Sequence, residues 1–207
     1  MIDHGPAGIR KVGHREYVGG KWDEIGRLQF DFLVAQGLRP QHTLLDIACG
    51  SLRGGVLFIP YLEAGHYLGI DKEPDLIRAG IEEELTPALR ASKRPVLLVD
   101  GEFAFTRFGA RPDFALAQSL FTHLPPALID KCLRNLRQVI ADDGAFYATY
   151  FESHDEVANP HQAHDWGRFN YTRAQMERFG TDAGWRFEYI GDWRHPRGQI
   201  MTRYQPT

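Results

Sequence analysis

Glu152, His154, Asp155, Glu156, His161, His164 and Asp165 fall within one short polar stretch that follows an apolar run. Carboxylates and imidazoles can take up a proton or orient a hydroxyl, and such general-base assistance typically contributes ~10²–10⁴-fold. Glu152 and His154 are the expected acceptor-orienting and general-base pair, with His195 a second candidate base. Glu152, Asp155 and Asp165 also allow a divalent ion such as Mg2+, since carboxylates and water suit magnesium. The spacing carries no zinc signature. Tyr171 and Trp193 border loops where they could wall an acceptor pocket, and Phe169, Met176 and Phe179 suit either a pocket or a core. A solvated loop with one hydrogen-bonded core histidine is the competing reading of the cluster.

A second group of residues has the pattern of a ligand loop. Leu45-Asp46-Ile47-Ala48-Cys49-Gly50-Ser51-Leu52-Arg53-Gly54-Gly55 places a carboxylate near a strand end, then a glycine-rich turn, then a helix start. Glycine permits a tight turn and close ligand approach. There is no Gly-x-Gly-x-x-Gly and no Lys-Ser/Thr pair of a phosphate loop. Asp46 suits a cationic ligand better than a pyrophosphate. Tyr67-Leu68-Gly69-Ile70-Asp71 ends the next apolar run on an acid that could accept from two ribose hydroxyls, and Leu97-Leu98-Val99-Asp100-Gly101 ends another.

These residues require a frame of alternating strands and helices. Apolar strands are expected over 43–48, 67–71, 96–100, 114–118 and 145–151, then 186–190 and 199–204. Helices are expected over 22–34, 55–62, 74–85, 125–139 and 172–183, with Pro74 and Pro125 suited to first-turn positions. Strands buried on both faces and alternating with helices imply a mostly parallel α/β sheet. The link between the last two strands is too short for a crossover helix, so they should pair antiparallel. Segment 1–21 reads as a flexible leader or lid, ahead of a single domain spanning 22–207.

Taken together, these motifs resemble the Rossmann-like, class I S-adenosylmethionine-dependent methyltransferases over roughly 43–204. The resemblance implies a seven-stranded sheet with an antiparallel C-terminal edge pair and helices on both faces. It implies that S-adenosyl-L-methionine is held by Trp22, Asp46, Ala48, Gly50, Ser51, Arg53, Asp71, Lys72, Asp100 and Gly101. Asp71 would hold the ribose and Asp100 the adenine amino group. Gln118, Ser119 and Leu120 match the segment after the fourth strand, whose backbone borders the methionine part. Leu52 departs from the pattern, standing where a second glycine is usual. The segment Gly20–Phe30 is also similar to bacterial methyltransferases associated with polysaccharide processing, which implies a sugar hydroxyl as acceptor.

Composition narrows the choice further. A formal charge of -3, from 24 basic and 27 acidic residues, argues against a protein built to grip a nucleic-acid backbone. The Asn-Pro-Pro-Tyr segment associated with amino-group methylation is replaced by Gln118-Ser119-Leu120-Phe121. No run approaches the ~20 apolar residues of a membrane span, and the two cysteines suggest reduced thiols in a cytoplasmic protein. The expected partner is a small molecule or short saccharide, with no nucleic acid and no membrane insertion. A homodimer is compatible with the size, but no surface for one is legible. The reading is therefore an O-methyltransferase for a saccharide or other small polar molecule. A phenol, carboxylate or amine acceptor, or a noncatalytic cofactor-binding protein, remains open.

Overall fold

The computed structural model describes residues 5–163 and 168–207, and the chain divides into two compact units, 1–102 and 103–207. The division falls within the single domain expected over 22–207. The strands make a mixed, mostly parallel sheet flanked by helices, with an antiparallel edge pair.

The first unit begins with helices α1 (Gly5–Val12) and α2 (His14–Tyr17). A flexible leader or lid was expected here. Ile9 is buried and the Tyr17 hydroxyl accepts from the Gly5 N–H at 2.9 Å, tying the two helices together. Gly19, Gly20 and Lys21 then take consecutive positive φ values of 97°, 59° and 46°, a turn that glycine makes affordable. Helix α3 (Trp22–Ala35) follows with Asp23 and Glu24 in its first turn, where the helix dipole favours them.

Strand β1 (Leu44–Ile47) and strand β2 (Tyr67–Asp71) are buried along their whole lengths and pair in parallel, Asp46 opposite Gly69. Helix α4 (Gly55–Tyr61) lies between them in sequence. After β2 comes α5 (Pro74–Ala79), which the sequence suggested would run on to Leu85; it passes instead into a π-helical turn, Gly80–Glu84. Helix α6 (Pro87–Lys93) was not anticipated. It buries no residue, so it has no apolar stripe to betray it, yet Thr86 caps it by accepting from the Leu89 N–H. Strand β3 (Val96–Val99) pairs in parallel with β2.

In the second unit β4 (Phe114–Ala117) and β5 (Ala145–Glu152) are parallel neighbours, with α7 (Pro126–Arg137) between them in sequence. A two-residue strand, β6 (Asn170–Tyr171), pairs with the end of β5; it was not expected, being too short to show a period. Helix α8 (Arg173–Asp182) starts with a reciprocal capping box between Thr172 and Gln175, satisfying two otherwise orphaned donors. Strands β7 (Trp185–Asp192) and β8 (Ile200–Pro206) are antiparallel, as expected, and β8 pairs antiparallel with β5. Phe146, Trp185 and Tyr204 pack as one aromatic cluster. Gly180 lets α8 approach it, because a Cβ there would sit 2.5 Å from Tyr204 Cε1.

Candidate functional site

In the first unit the loop between β1 and α4 has an unusual backbone. Ala48, Gly50 and Leu52 have φ of 59°, 56° and 71°, so the left-handed conformation recurs at alternate residues. Leu52 takes this conformation without being glycine, and its side chain is fully buried. Gly54 and Gly55, which follow in the loop and open α4, serve packing. A Cβ at Gly54 would lie 2.8 Å from Gln29 Oε1, and one at Gly55 would lie 2.9 Å from the Tyr67 hydroxyl.

Asp71 stands at the end of β2 with both carboxylate oxygens oriented by backbone donors. Its Oδ2 accepts from the Gly50 N–H and its Oδ1 from the Glu73 N–H, each at 2.9 Å. The glycine loop and the strand-end acid are thus one assembly. Each oxygen retains a lone pair, so the carboxylate can still accept from a ligand hydroxyl. Burial pushes its pKa up, while those two N–H bonds oppose the shift. Asp100 lies beside it, since the Asp100 N–H donates to the Asp71 carbonyl at 2.9 Å. The Asp100 carboxylate accepts from the Glu102 N–H at 2.7 Å. Gly101 is exposed and would bring a Cβ within 3.3 Å of Lys72 Cβ. Lys72 is exposed and 3.5 Å from Glu73.

Asp46 is 4% exposed and accepts a 2.7 Å hydrogen bond from the Tyr67 hydroxyl, a partner the sequence reading missed. Burial raises its pKa to about 6; the Tyr67 bond lowers it, nearby Asp71 raises it and Arg53 lowers it. Ser51 is fully buried, with its Oγ unpartnered among the described residues. These groups fit a cofactor bearing a ribose: an anchored acid with spare lone pairs, a second strand-end acid beside it, and a glycine loop in contact with the first.

The leader is fastened to this loop. Arg53 Nη1 donates to the Val18 and Gly20 carbonyls at 3.0 and 3.1 Å, and a Cβ on Gly50 would lie 2.9 Å from Val18 Cγ1. Arg53, expected to contact the cofactor, therefore grips the leader. Trp22, expected to do the same, sits edge-on to His14 with rings 5.7 Å apart and beneath the Arg15 guanidinium at 4.8 Å.

In the second unit Glu152 and His154 come together. They line a cleft of about 540 Å³ with Ser153, Thr172, Arg173 and Ala174. The Tyr150 and Tyr189 hydroxyls donate to the two oxygens of Glu152 at 3.0 and 2.7 Å, fixing the plane of the carboxylate. Arg173 covers the Tyr189 ring at 4.4 Å. His154 and Asp155 are exposed. Asp165 and His164 lie outside the described residues, and the described residues hold no group of three or more His, Cys, Asp or Glu placed for a metal.

His195 belongs to a different cluster. It is 5% exposed, stacked on Trp193 with centroids 5.4 Å apart. Its Nδ1 accepts from the Arg197 N–H at 3.3 Å, and its Nε2 is 3.1 Å from Gln118 Nε2. Its burial and its stacking on Trp193 suit a positioning role. Trp193 is also buried, its Nε1 donating to the Gln199 carbonyl at 3.0 Å. Tyr171, expected to wall the acceptor pocket, is fully buried instead and donates to the Leu124 carbonyl at 2.6 Å. Phe169 and Met176 are likewise core residues.

Gln118 is buried, whereas Ser119 and Leu120 are partly exposed. Ser119 has φ of 65° and is held by Thr149 and Gln199, which the sequence reading did not single out. A lone threonine in an apolar strand and a glutamine opening another gave no periodic signal.

The fold is that of the class I S-adenosylmethionine-dependent methyltransferases. Similar solved structures include the methyltransferase CcbJ from Streptomyces caelestis, with a TM-score of 0.68 at 16% identity, covering 92% of this chain and 98% of that one. DhpI in complex with S-adenosylhomocysteine gives a TM-score of 0.67 at 14% identity, covering 93% and 91% of the two chains. Magnesium protoporphyrin IX methyltransferase from Synechocystis PCC 6803, with bound S-adenosylmethionine, gives 0.64 at 14% identity, covering 93% and 89%. No family model matches the chain.

Proposed function

We propose that the protein is an S-adenosylmethionine-dependent O-methyltransferase acting on a hydroxyl of a small saccharide or another small polar molecule. The observation that carries the cofactor assignment is Asp71, anchored by the N–H groups of the glycine loop residue Gly50 and of Glu73. A carboxylate fixed in this way is preorganised to accept from neighbouring ribose hydroxyls, so its orientation need not be purchased on binding. Asp100 beside it supplies the acceptor for an adenine amino group, and the buried Asp46 favours a ligand carrying positive charge.

S-adenosylmethionine supplies an activated methyl group on a sulfonium. The acceptor oxygen forms a bond to the methyl carbon as the carbon–sulfur bond breaks, and its electron pair stays on sulfur. The hydroxyl proton must leave the acceptor. We assign its uptake to His154 and the orienting of the acceptor to Glu152, which is held flat by two tyrosine hydroxyls. The polar lining of the cleft supports a hydroxyl-rich acceptor over an apolar one. His195 supports the site from its buried cluster.

The test is a screen for methyl transfer from labelled S-adenosylmethionine to neutral saccharides, phenols, carboxylates and amines, repeated with His154→Ala. Transfer to saccharides, reduced ~10²-fold or more in the variant, is the expected result. Transfer to phenols alone would overturn the acceptor assignment, and cofactor binding without transfer to any acceptor would leave a noncatalytic binding protein.

A further inference from the structure

Ser119, Thr149 and Gln199 form a closed ring of hydrogen bonds. The Ser119 N–H donates to Thr149 Oγ1 at 2.7 Å, and that hydroxyl donates to Gln199 Oε1 at 2.7 Å. Gln199 Nε2 returns to Ser119 Oγ. Thr149 is fully buried on β5, and Gln199, 2% exposed, immediately precedes β8. The antiparallel pairing of these strands sets Thr149 opposite Met201, two residues beyond Gln199.

The polarity of the ring follows from its one irreversible member. A backbone N–H only donates, so the Thr149 hydroxyl accepts from Ser119 and keeps its single proton to give. That proton goes to Gln199 Oε1, which fixes the orientation of the amide and turns its Nε2 toward Ser119. The same Oε1 accepts from Gln118 Nε2 at 3.3 Å, and Gln118 Nε2 is the group 3.1 Å from His195. The Gln199 carbonyl meanwhile accepts from Trp193, on which His195 stacks. One glutamine thus ties the turn after β4 to the His195 ring.

What the ring holds is a strained residue. Ser119 has φ of 65° without being glycine, a sparsely populated conformation that persists only where its surroundings over-determine it. Here every polar group of Ser119 is engaged, since its carbonyl also accepts from Thr122 Oγ1 at 2.6 Å.

We propose that Thr149 and Gln199 are positioning residues for methyl transfer, acting through Ser119 and the Gln118–His195 arm. The inference rests on the methyltransferase reading, in which the Ser119 turn borders the reacting end of the cofactor. Displacing a positioning element by about 1 Å can cost ~10²-fold in rate.

The experiment compares Thr149→Val, which keeps shape and removes the hydroxyl, with Thr149→Ser, which restores it. Three quantities are read: kcat and KM for methyl transfer, S-adenosylhomocysteine affinity, and hydrogen exchange of the Ser119 amide. The valine variant should lose about 10- to 100-fold in kcat, with KM for the acceptor little changed and the Ser119 amide exchanging faster. The serine variant should recover both kcat and protection. Should the valine variant not fold, Gln199→Met removes both ring bonds of the amide in a similar volume, and the same loss is expected. Full kcat in Thr149→Val or Gln199→Met, or no recovery in Thr149→Ser, overturns the proposal. A wild-type protein with a protected Ser119 amide but no methyl transfer removes the methyltransferase reading and the positioning role with it.

Discussion

Raising the pH from about 4 to about 7 should cost this protein stability through Asp46, and replacing that residue with asparagine should abolish the cost. Asp46 is 4% exposed, and burial raises its pKa from 3.8 to about 6 despite the hydrogen bond from Tyr67. Between those values the native state holds a proton that the unfolded chain has released. The native state therefore binds more protons, and stability falls as pH rises through the window. A shift of about two units at 1.36 kcal/mol per unit is worth about 3 kcal/mol. Asp71 is displaced in the same direction by burial, but it is present in both proteins and largely cancels in the comparison. Asparagine keeps an acceptor for Tyr67 and cannot ionise. Urea unfolding of both proteins at several pH values gives the difference directly. The asparagine variant should gain on wild type by a few kcal/mol between about pH 4 and 7, with most of the gain complete near pH 6. A difference that stays constant with pH would refute the argument that burial controls this carboxylate.

Two further changes probe the loop and the leader. Gly50→Ala should destabilise by about 1–2 kcal/mol from the left-handed backbone alone, and the new Cβ would press on Val18 at 2.9 Å; urea unfolding reads the loss, and an unchanged midpoint would contradict it. Arg53→Met should release the leader by removing the donor to the Val18 and Gly20 carbonyls. Trypsin cleavage after Lys11, Arg15 or Lys21 should then quicken, and equal cleavage rates in variant and wild type would show that the latch does not hold.

Much of the fold was legible because its strands are apolar runs separated by helical periods. β1 and β2, buried from end to end, had no competing interpretation, and the short link between β7 and β8 permitted only antiparallel pairing. The elements that escaped had no periodic signal: α6 buries nothing, and β6 is two residues long. The contacts of the leader, between Tyr17 and Gly5 and between Arg53 and Val18, join residues well apart in sequence and were not readable. At the site, strand-end acids were readable because a strand has a definite end. Asp71 and Asp100 do lie side by side. Side-chain direction was not readable: Arg53 and Trp22 contact the leader, Tyr171 lies in the core and His195 in a buried cluster. Thr149 and Gln199 matter only through one another and Ser119, a relation that single positions do not disclose.

Calorimetric titration with S-adenosylhomocysteine, comparing wild type with Asp71→Ala, tests the central claim most directly. One-to-one binding is predicted, weakened by at least about tenfold in the variant, since hydrogen bonds to a charged group are worth ~1.5–3 kcal/mol each. A well-folded wild-type protein that shows no binding, or a variant that binds equally well, would contradict the assignment of this loop and strand-end acid to the cofactor.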